Sequence, residues 1–151
     1  MIKTVVVDAS ALLPAWLPQE RLQAYADALV EAHIQERVRL CAPWLLEHEV
    51  VNAFYIATRG RSGMAPRLSL DNAKEASMLF GELGITLMSV AGFAPRILEL
   101  AVTHRRSSSY DMAYVALAEQ LETTLITADQ RLINAVGSAL SFVQPLWETR
   151  F

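Results

Sequence analysis

The sequence is poor in the residues that build disulfides and zinc sites. It has a single cysteine, Cys41, so no internal disulfide can form, and it lacks the Cys/His spacing of a zinc site. It also contains no Walker loop, no Gly-x-Gly-x-x-Gly fingerprint and no Gly-x-Ser-x-Gly elbow. These absences argue against zinc, P-loop, dinucleotide-binding and serine-hydrolase sites. Cys41 itself lies in an apolar run and is expected to be a small core residue.

Long hydrophobic runs are also absent. No apolar stretch approaches the roughly 18 residues of a membrane span, and the N-terminus lacks the basic and apolar regions of a signal peptide. We therefore expect a cytoplasmic protein with no membrane partner. A hydrophobic share of 53% in 151 residues is ample for one core, so residues 1–151 are predicted to form a single domain.

The chain has no excess of positive charge. Its net charge is −3, whereas many proteins that grip nucleic acid through phosphate contacts are basic overall. A simple sequence-reading DNA-binding protein is therefore disfavoured, but an acidic site neutralised by a metal is compatible with this balance. Arginines do cluster locally, at Arg59, Arg61 and Arg67 and again at Arg105 and Arg106. Both a solvated surface and a phosphate contact are open interpretations of these clusters.

Strand-like and helix-like segments alternate along the chain. Apolar, β-branched runs predict strands at residues 2–7, 38–42, 85–90 and 123–127, with a candidate edge strand at 140–143. Apolar periodicity and capping residues predict helices at 11–17, 19–36, 43–58, 69–83, 94–105, 109–121 and 129–136. Such alternation is typical of an α/β fold with a central parallel sheet and helices on both faces.

Three aspartates stand where predicted strands end or helices begin. Asp8 and Asp129 follow the first and fourth strands, and Asp111 lies in the first turn of a helix. Each has a local explanation, since aspartate is favoured at helix caps and in first turns. Their joint placement at the carboxyl edge of one sheet points further, because that edge is where open α/β folds bind ligands. Ser10 is close enough to Asp8 to help bind a metal or a phosphate.

Glu49 is the fourth acid of interest. It shares a helical face with the apolar residues Leu46, Ala53 and Ile56, and a carboxylate on an apolar face is costly unless it is paired or metal-bound. Asn52, three residues later, lies on the same side and is a candidate hydrogen-bond partner. Converging carboxylates repel one another unless a cation lies between them, and Mg²⁺ and Mn²⁺ prefer oxygen ligands. The acids thus predict a metal-dependent enzyme, and phosphodiester cleavage is the chemistry that fits best.

Four motifs resemble those of the PIN-domain nucleases, especially the VapC-like toxins of toxin–antitoxin pairs. They are Val-Val-Asp-Ala-Ser-Ala-Leu at 6–12, Glu-Val-Val-Asn-Ala-Phe at 49–54, Tyr-Asp-Met-Ala-Tyr-Val-Ala-Leu-Ala at 110–118 and Leu-Ile-Thr-Ala-Asp-Gln-Arg-Leu at 125–132. They occur in the order of the family and span nearly the whole chain. Each motif alone is weak, but the ordered set is highly specific.

The resemblance implies a three-layer α/β/α sandwich and a Mg²⁺- or Mn²⁺-dependent endoribonuclease that acts on RNA. It assigns the metal-binding, catalytic acids to Asp8, Glu49, Asp111 and Asp129. It places supporting hydroxyls at Ser10 and Thr127. It also implies a homodimer held inactive by a cognate antitoxin. The arginine- and glycine-rich residues 58–68 and the C-terminal tail look long for the family.

Two rival functions remain at this point. The first is a PIN-fold module that binds RNA or an antitoxin without cleaving. The four acids are intact in this sequence, which counts against a binding module, because a protein that no longer cleaves RNA has no need to keep them. The second is a flap-type DNA nuclease, but the chain is short for such enzymes, which add helical regions that grip DNA.

Overall fold

The computed structural model describes residues 1–18 and 20–151 and contains a five-stranded sheet. The strands are β1 (Lys3–Val7), β2 (Val38–Pro43), β3 (Thr86–Met88), β4 (Leu125–Thr127) and β5 (Val143–Pro145). Their order is β3-β2-β1-β4-β5, and all four neighbouring pairs are parallel. The predicted α/β fold with a central parallel sheet is confirmed.

Helices connect the strands. They are α1 (Ala9–Leu12), α2 (Gln23–Ile34), α3 (Leu45–Arg59), α4 (Leu70–Glu82), α5 (Ala94–Thr103), α6 (Tyr110–Gln120) and α7 (Gln130–Val136). From β1 to β3, each new strand is added on one side of the previous strand. From β3 the chain crosses back over the sheet and adds β4 and β5 on the other side of β1. Because such crossovers are right-handed, the helices before and after β3 cover opposite faces of the sheet. Within the described residues, no helix is long and apolar enough to cross a membrane.

The centre of the core lies between β1 and α6. Val5, Val6 and Val7 are buried on both faces of the sheet, as expected for a central parallel strand. Every residue of α6 from Met112 to Ala118 is buried as well, and this helix contacts β1, β2 and β4. A helix buried on all sides holds its side chains firmly, so α6 is a rigid support for whatever it positions.

Several predicted boundaries were wrong. Pro43 does not open a helix: it is the last residue of β2, paired with Met88 of β3, and α3 begins two residues later. The predicted edge strand at 140–143 is shifted to Val143–Pro145, which is acceptable because proline is tolerated at a sheet edge. The strands predicted at 85–90 and 123–127 are shorter, since only 86–88 and 125–127 pair with neighbours.

Two further helix predictions need correction. The helix predicted at 11–17 begins earlier, at Ala9, and continues as a 3-10 turn over Leu13–Ala15 that contains Pro14. The helix predicted at 19–36 is described only from Gln23 to Ile34, and Gln19 lies outside the described residues. The helix predicted to begin at residue 69 has Ser69 as its N-cap, and the N-cap expected at Asp129 is confirmed, since both side chains accept hydrogen bonds from their helices.

Candidate active site

The strand order reverses at the centre of the sheet, between β1 and β4. The chain leaves β1 toward β2 and β3, then returns to form β4 on the other side of β1. The carboxyl ends of these two adjacent strands therefore lead away in opposite directions, and open α/β sheets bind ligands in the crevice formed there. Asp8 follows β1 directly, Thr127 ends β4, and Asp129 comes two residues later.

Asp8 is buried at this crevice and is held by three donors. The residue Asp8 is only 8% exposed to solvent. The backbone N–H of Ala11 donates to its Oδ1 across 3.1 Å, so Asp8 caps α1, and the hydroxyl of Ser10 donates to the same oxygen across 2.6 Å. The hydroxyl of Thr127 donates to Oδ2. The cap interpretation of Asp8 is thus correct, and it does not exclude a second role.

The two hydroxyls are themselves oriented by the backbone after β4. The N–H of Ala128 donates to the Oγ of Ser10 across 2.8 Å, and the N–H of Asp129 donates to the Oγ1 of Thr127 across 3.0 Å. Because each hydroxyl accepts from the backbone, its proton is directed to the carboxylate of Asp8. The structure therefore brings both Ser10 and Thr127 to Asp8, although the sequence had placed only Ser10 close to it.

Burial sets the protonation of Asp8. It raises the pKa of this carboxyl from 3.8 to about 6, although the three hydrogen bonds oppose the rise. The negative charge of Glu49 also contributes to it. Burial and a neighbouring negative charge both disfavour the ionised form of a carboxyl group. A bound cation offsets both effects, so such a carboxylate is a good metal ligand.

Glu49 approaches the same crevice from α3. It is half-buried beside the buried stripe of that helix, which consists of Leu46, Val50, Phe54 and Ala57. The hydroxyl of Tyr114 on α6 donates to its Oε2. Burial is the main cause that raises the pKa of Glu49, the charge of Asp111 adds to the rise, and the hydrogen bond from Tyr114 opposes it.

The predicted hydrogen bond from Asn52 to Glu49 is wrong. Asn52 is exposed, and among the described residues no hydrogen bond joins the two side chains. The predicted face was also partly wrong, because Ile56 is 39% exposed. Glu49 has a different hydrogen-bond donor because α6 packs against it. The phenol of Tyr114 on α6 reaches Glu49 and donates the hydrogen bond that was predicted to come from Asn52.

Asp111 lies in the first turn of α6 and is paired with an arginine. Its Oδ2 accepts a hydrogen bond from the Nε of Arg106 across 2.8 Å and lies 2.6 Å from the Nη2 of the same guanidinium, in an ion pair. Its Oδ1 is buried without a hydrogen-bond partner among the described residues. The solvated-surface interpretation of Arg106 is wrong, because its guanidinium is largely buried and binds the carboxylate of Asp111. The phosphate contact stays a prediction.

Asp129 stands at the N-cap of α7. Its Oδ1 accepts from the backbone N–H of Arg131 and of Leu132, across 2.8 and 3.3 Å. It is connected to Asp8 through Thr127, which accepts from the N–H of Asp129 and donates to Asp8. The fourth acid therefore belongs to the same network of hydrogen bonds, although it is more open to solvent than Asp8.

The donor set fits a divalent cation. The charge of Glu49 acts on Asp8 and that of Asp111 acts on Glu49, and the buried Oδ1 of Asp111 has no hydrogen-bond partner among residues 1–18 and 20–151. Over residues 1–18 and 20–151, no three acidic, histidine or cysteine side chains are close enough to hold one ion together. Magnesium commonly binds through one or two carboxylates and completes its shell with waters, so the oxygen-only site suits that mode.

Sequence reasoning missed two residues of this cluster, Tyr114 and the role of Arg106. Tyr114 comes three residues after Asp111, so both side chains lie on one face of α6. This spacing was a usable signal. The hydrogen bond to Glu49, 65 residues away, depends on how α3 and α6 pack, and no local pattern reveals it.

Comparisons with known proteins agree with this geometry. The PIN domain family model matches residues 5–137. Ribonuclease VapC9 of Mycobacterium tuberculosis (strain ATCC 25618 / H37Rv) is 36% identical over 129 residues, which cover 85% of this chain and 87% of that protein. Ribonuclease VapC3 of Pyrobaculum aerophilum is 30% identical over 128 residues, covering 85% and 91%.

A solved structure shows the same fold. The crystal structure of PAE2754 from Pyrobaculum aerophilum aligns with a TM-score of 0.65 and 22% identity, over 97% of this chain and 93% of that one. The family model and the identities to curated relatives both extend over most of the chain. The chain therefore belongs to the PIN-domain family and, within it, is related to the VapC ribonucleases.

Proposed function

We propose that this protein is a divalent-metal-dependent endoribonuclease and the toxin of a toxin–antitoxin pair. The observation that carries the proposal is the group of acids where the strand order reverses, in which the buried Asp8 is held by Ser10 and Thr127. Its similarity to ribonucleases VapC9 and VapC3 supports RNA as the substrate. By the same relationship, a cognate antitoxin is the proposed protein partner.

The proposed metal ligands come from Asp8, Glu49, Asp111 and Asp129, with one or two of them binding an ion directly and waters completing its shell. When bound, Mg²⁺ or Mn²⁺ supplies positive charge that attracts the RNA phosphate and lowers the pKa of water. The protein keeps the ligands ready for this purpose. Two hydroxyls fix the carboxylate of Asp8. A guanidinium fixes one oxygen of Asp111, and the other oxygen accepts no hydrogen bond from the part of the chain that the structure describes. Such second partners orient ligands and restrict their motion.

The proposed functional unit is a homodimer of single-domain chains in the cytoplasm. One continuous hydrophobic cluster and a family model over residues 5–137 support the single domain. Large apolar side chains at the start of α3, along α3 and on α5 are exposed and support an interface with a second copy: Trp44, Val51, Tyr55, Leu98 and Val102. Light scattering after size exclusion, read against the 16.7 kDa chain mass, tests the dimer.

Cleavage of a mixed RNA substrate tests the activity. Purified protein is incubated with Mg²⁺, with Mn²⁺ and with EDTA, and RNA fragments are followed over time. We expect metal-dependent cutting that Asp8→Asn and Glu49→Gln reduce at least about 100-fold, because each removes a proposed ligand of the ion. Cutting by Asp8→Asn at the wild-type rate contradicts the assignment of the site, whereas a small residual rate common to both variants reports contaminating ribonuclease.

Glu47→Gln is the matched control for Glu49→Gln. Glu47 is an exposed acid on the same helix, two residues away, and its replacement is expected to leave cutting unchanged. Equal losses in both variants contradict the assignment of Glu49. Cutting that persists in EDTA contradicts a metal-dependent mechanism. A protein that binds RNA but never cuts it, whatever the metal, fits the binding module instead.

A further inference from the structure

Tyr114 occupies an unusual place for a tyrosine of the core. It is only 1% exposed and is among the largest fully buried side chains. Its hydroxyl nevertheless reaches the acid cluster and donates to the Oε2 of Glu49. Asp111 lies one turn earlier on the same face of α6. One helix thus contributes a proposed ligand of the metal and a donor to a second ligand.

We infer that Tyr114 is a positioning residue, whose hydroxyl holds the carboxylate of Glu49 in place for the divalent cation. This inference rests on the proposed function. A glutamate side chain samples many rotamers, and those that cannot reach the ion must be given up on binding. A phenol packed in the core has little freedom of its own. Its hydrogen bond therefore transfers the rigidity of α6 to a half-buried acid on α3.

The hydroxyl holds Glu49 without using up its ligand capacity. The hydrogen bond occupies Oε2, and a carboxylate has about four lone-pair sites on its two oxygens. Oε1 accepts no hydrogen bond among the described residues. The alternative is that the pair is purely structural, with Glu49 present only to satisfy a buried hydroxyl. The two roles differ in whether the hydroxyl matters to metal binding.

Tyr114→Phe tests the inference, because it removes the hydroxyl and keeps the ring. Mn²⁺ binding to the metal-free protein is measured by isothermal titration calorimetry. We expect the Kd to rise about 10-fold, the lower end of the range for partners of metal ligands. Tyr110→Phe is the control, since Tyr110 is on the same helix but 64% exposed, and its Kd is expected to stay unchanged. A Kd within about twofold of wild type for Tyr114→Phe overturns the inference.

A double-mutant cycle separates positioning from a general effect on the fold. In a Glu49→Gln background, Tyr114→Phe is expected to cause no further weakening of Mn²⁺ binding, because the group through which it acts is already altered. A further loss of about 10-fold in that background shows that Tyr114 acts elsewhere in the core. That result also overturns the inference.

Cleavage kinetics give an independent readout. In Tyr114→Phe the Mn²⁺ concentration for half-maximal rate is expected to rise about 10-fold, while saturating Mn²⁺ restores the rate and the KM for RNA is unchanged. A rate that excess metal cannot restore overturns the inference. If wild-type protein neither binds Mn²⁺ nor cuts RNA, the proposed function fails. If it does both and Tyr114→Phe matches it, only the positioning role of Tyr114 fails.

Discussion

Asp8→Asn is expected to stabilise the metal-free protein at neutral pH. The carboxyl of Asp8 is buried and its pKa is raised from 3.8 to about 6, so the folded state prefers it protonated. The penalty for ionised Asp8 is absent below pH 3.8, grows as the pH rises to about 6, and is complete above that value. Asparagine has nearly the same shape and carries no charge at any of these pH values.

The size of the effect follows from the pKa and the hydrogen bonds. At about 1.4 kcal/mol per pH unit, the rise from 3.8 to about 6 corresponds to about 3 kcal/mol against the folded state. The amide cannot accept the proton of Thr127 as Oδ2 does, and the loss of one hydrogen bond costs about 1 kcal/mol. The variant should therefore gain about 2 kcal/mol at pH 7, or about 4–8 °C in Tm for a chain of this length.

Urea unfolding in EDTA at two pH values measures this balance. Tryptophan fluorescence is a suitable probe because the chain has three tryptophans. At about pH 3, below the unfolded-state pKa of 3.8, the wild-type penalty has nearly vanished while the hydrogen-bond cost remains, so the order reverses and the variant is less stable by about 1 kcal/mol. Asp71→Asn is the control, since the side chain of Asp71 is 94% exposed, and a change under about 0.5 kcal/mol is expected.

The reversal with pH is the decisive result. If Asp8→Asn is less stable than wild type at pH 7, the burial of Asp8 does not disfavour its charge, and the cluster is not a repulsive one. If the variant gains equally at both pH values, its stability comes from something other than ionisation. Added Mg²⁺ should stabilise wild type and not the variant, because only the wild type keeps the proposed ligand.

Two other substitutions test the partners of the acids. Thr127→Val keeps the shape of the side chain but removes a donor to Asp8 and an acceptor for the N–H of Asp129. We expect the free energy of unfolding in urea to fall by about 1–3 kcal/mol. A fall below about 0.5 kcal/mol would falsify the contribution of this hydrogen-bond network. Arg106→Ala leaves both oxygens of Asp111 without a donor. Because the side chains of this pair are 18% and 22% exposed, we expect about 1–2 kcal/mol of destabilisation in metal-free protein, partly recovered in Mg²⁺. An unchanged Tm in both conditions contradicts a contribution from the pair.

The local chemistry of the chain determined which parts of the fold were predictable. Asp8 could be placed at the end of β1 because a run of β-branched residues precedes it, and Asp129 could be placed at a cap because a polar residue follows the strand and starts a helix. The prediction that Pro43 begins a helix was wrong. Proline favours the first turn of a helix, and only the pairing of Pro43 with Met88 shows that the strand continues to this residue. Pairing partners lie far away in the sequence.

The partners of the acids were harder to predict than the acids. Asn52 was the candidate for Glu49 because both lie on α3, yet the donor is Tyr114 on α6. Arg106 is only five residues from Asp111, but the turn between α5 and α6 determines whether the side chains meet. The spacing of residues along a helix predicts which side chains of that helix lie close together. It does not predict which other helix or strand packs against them.

The position of β4 beside β1 affects the order in which this protein can assemble. The ladder between these strands joins Val6 and Val7 to Leu125 and Ile126, so the middle of the sheet is completed by residues near the C-terminus. During synthesis, a chain that ends before Thr127 lacks one of the hydroxyls that hold Asp8 and the strand that covers one side of β1. Ribosome-bound fragments shorter than this therefore carry the first acid motif without its finished surroundings, and the ordered group of acids forms only after the residues through Asp129 have been made.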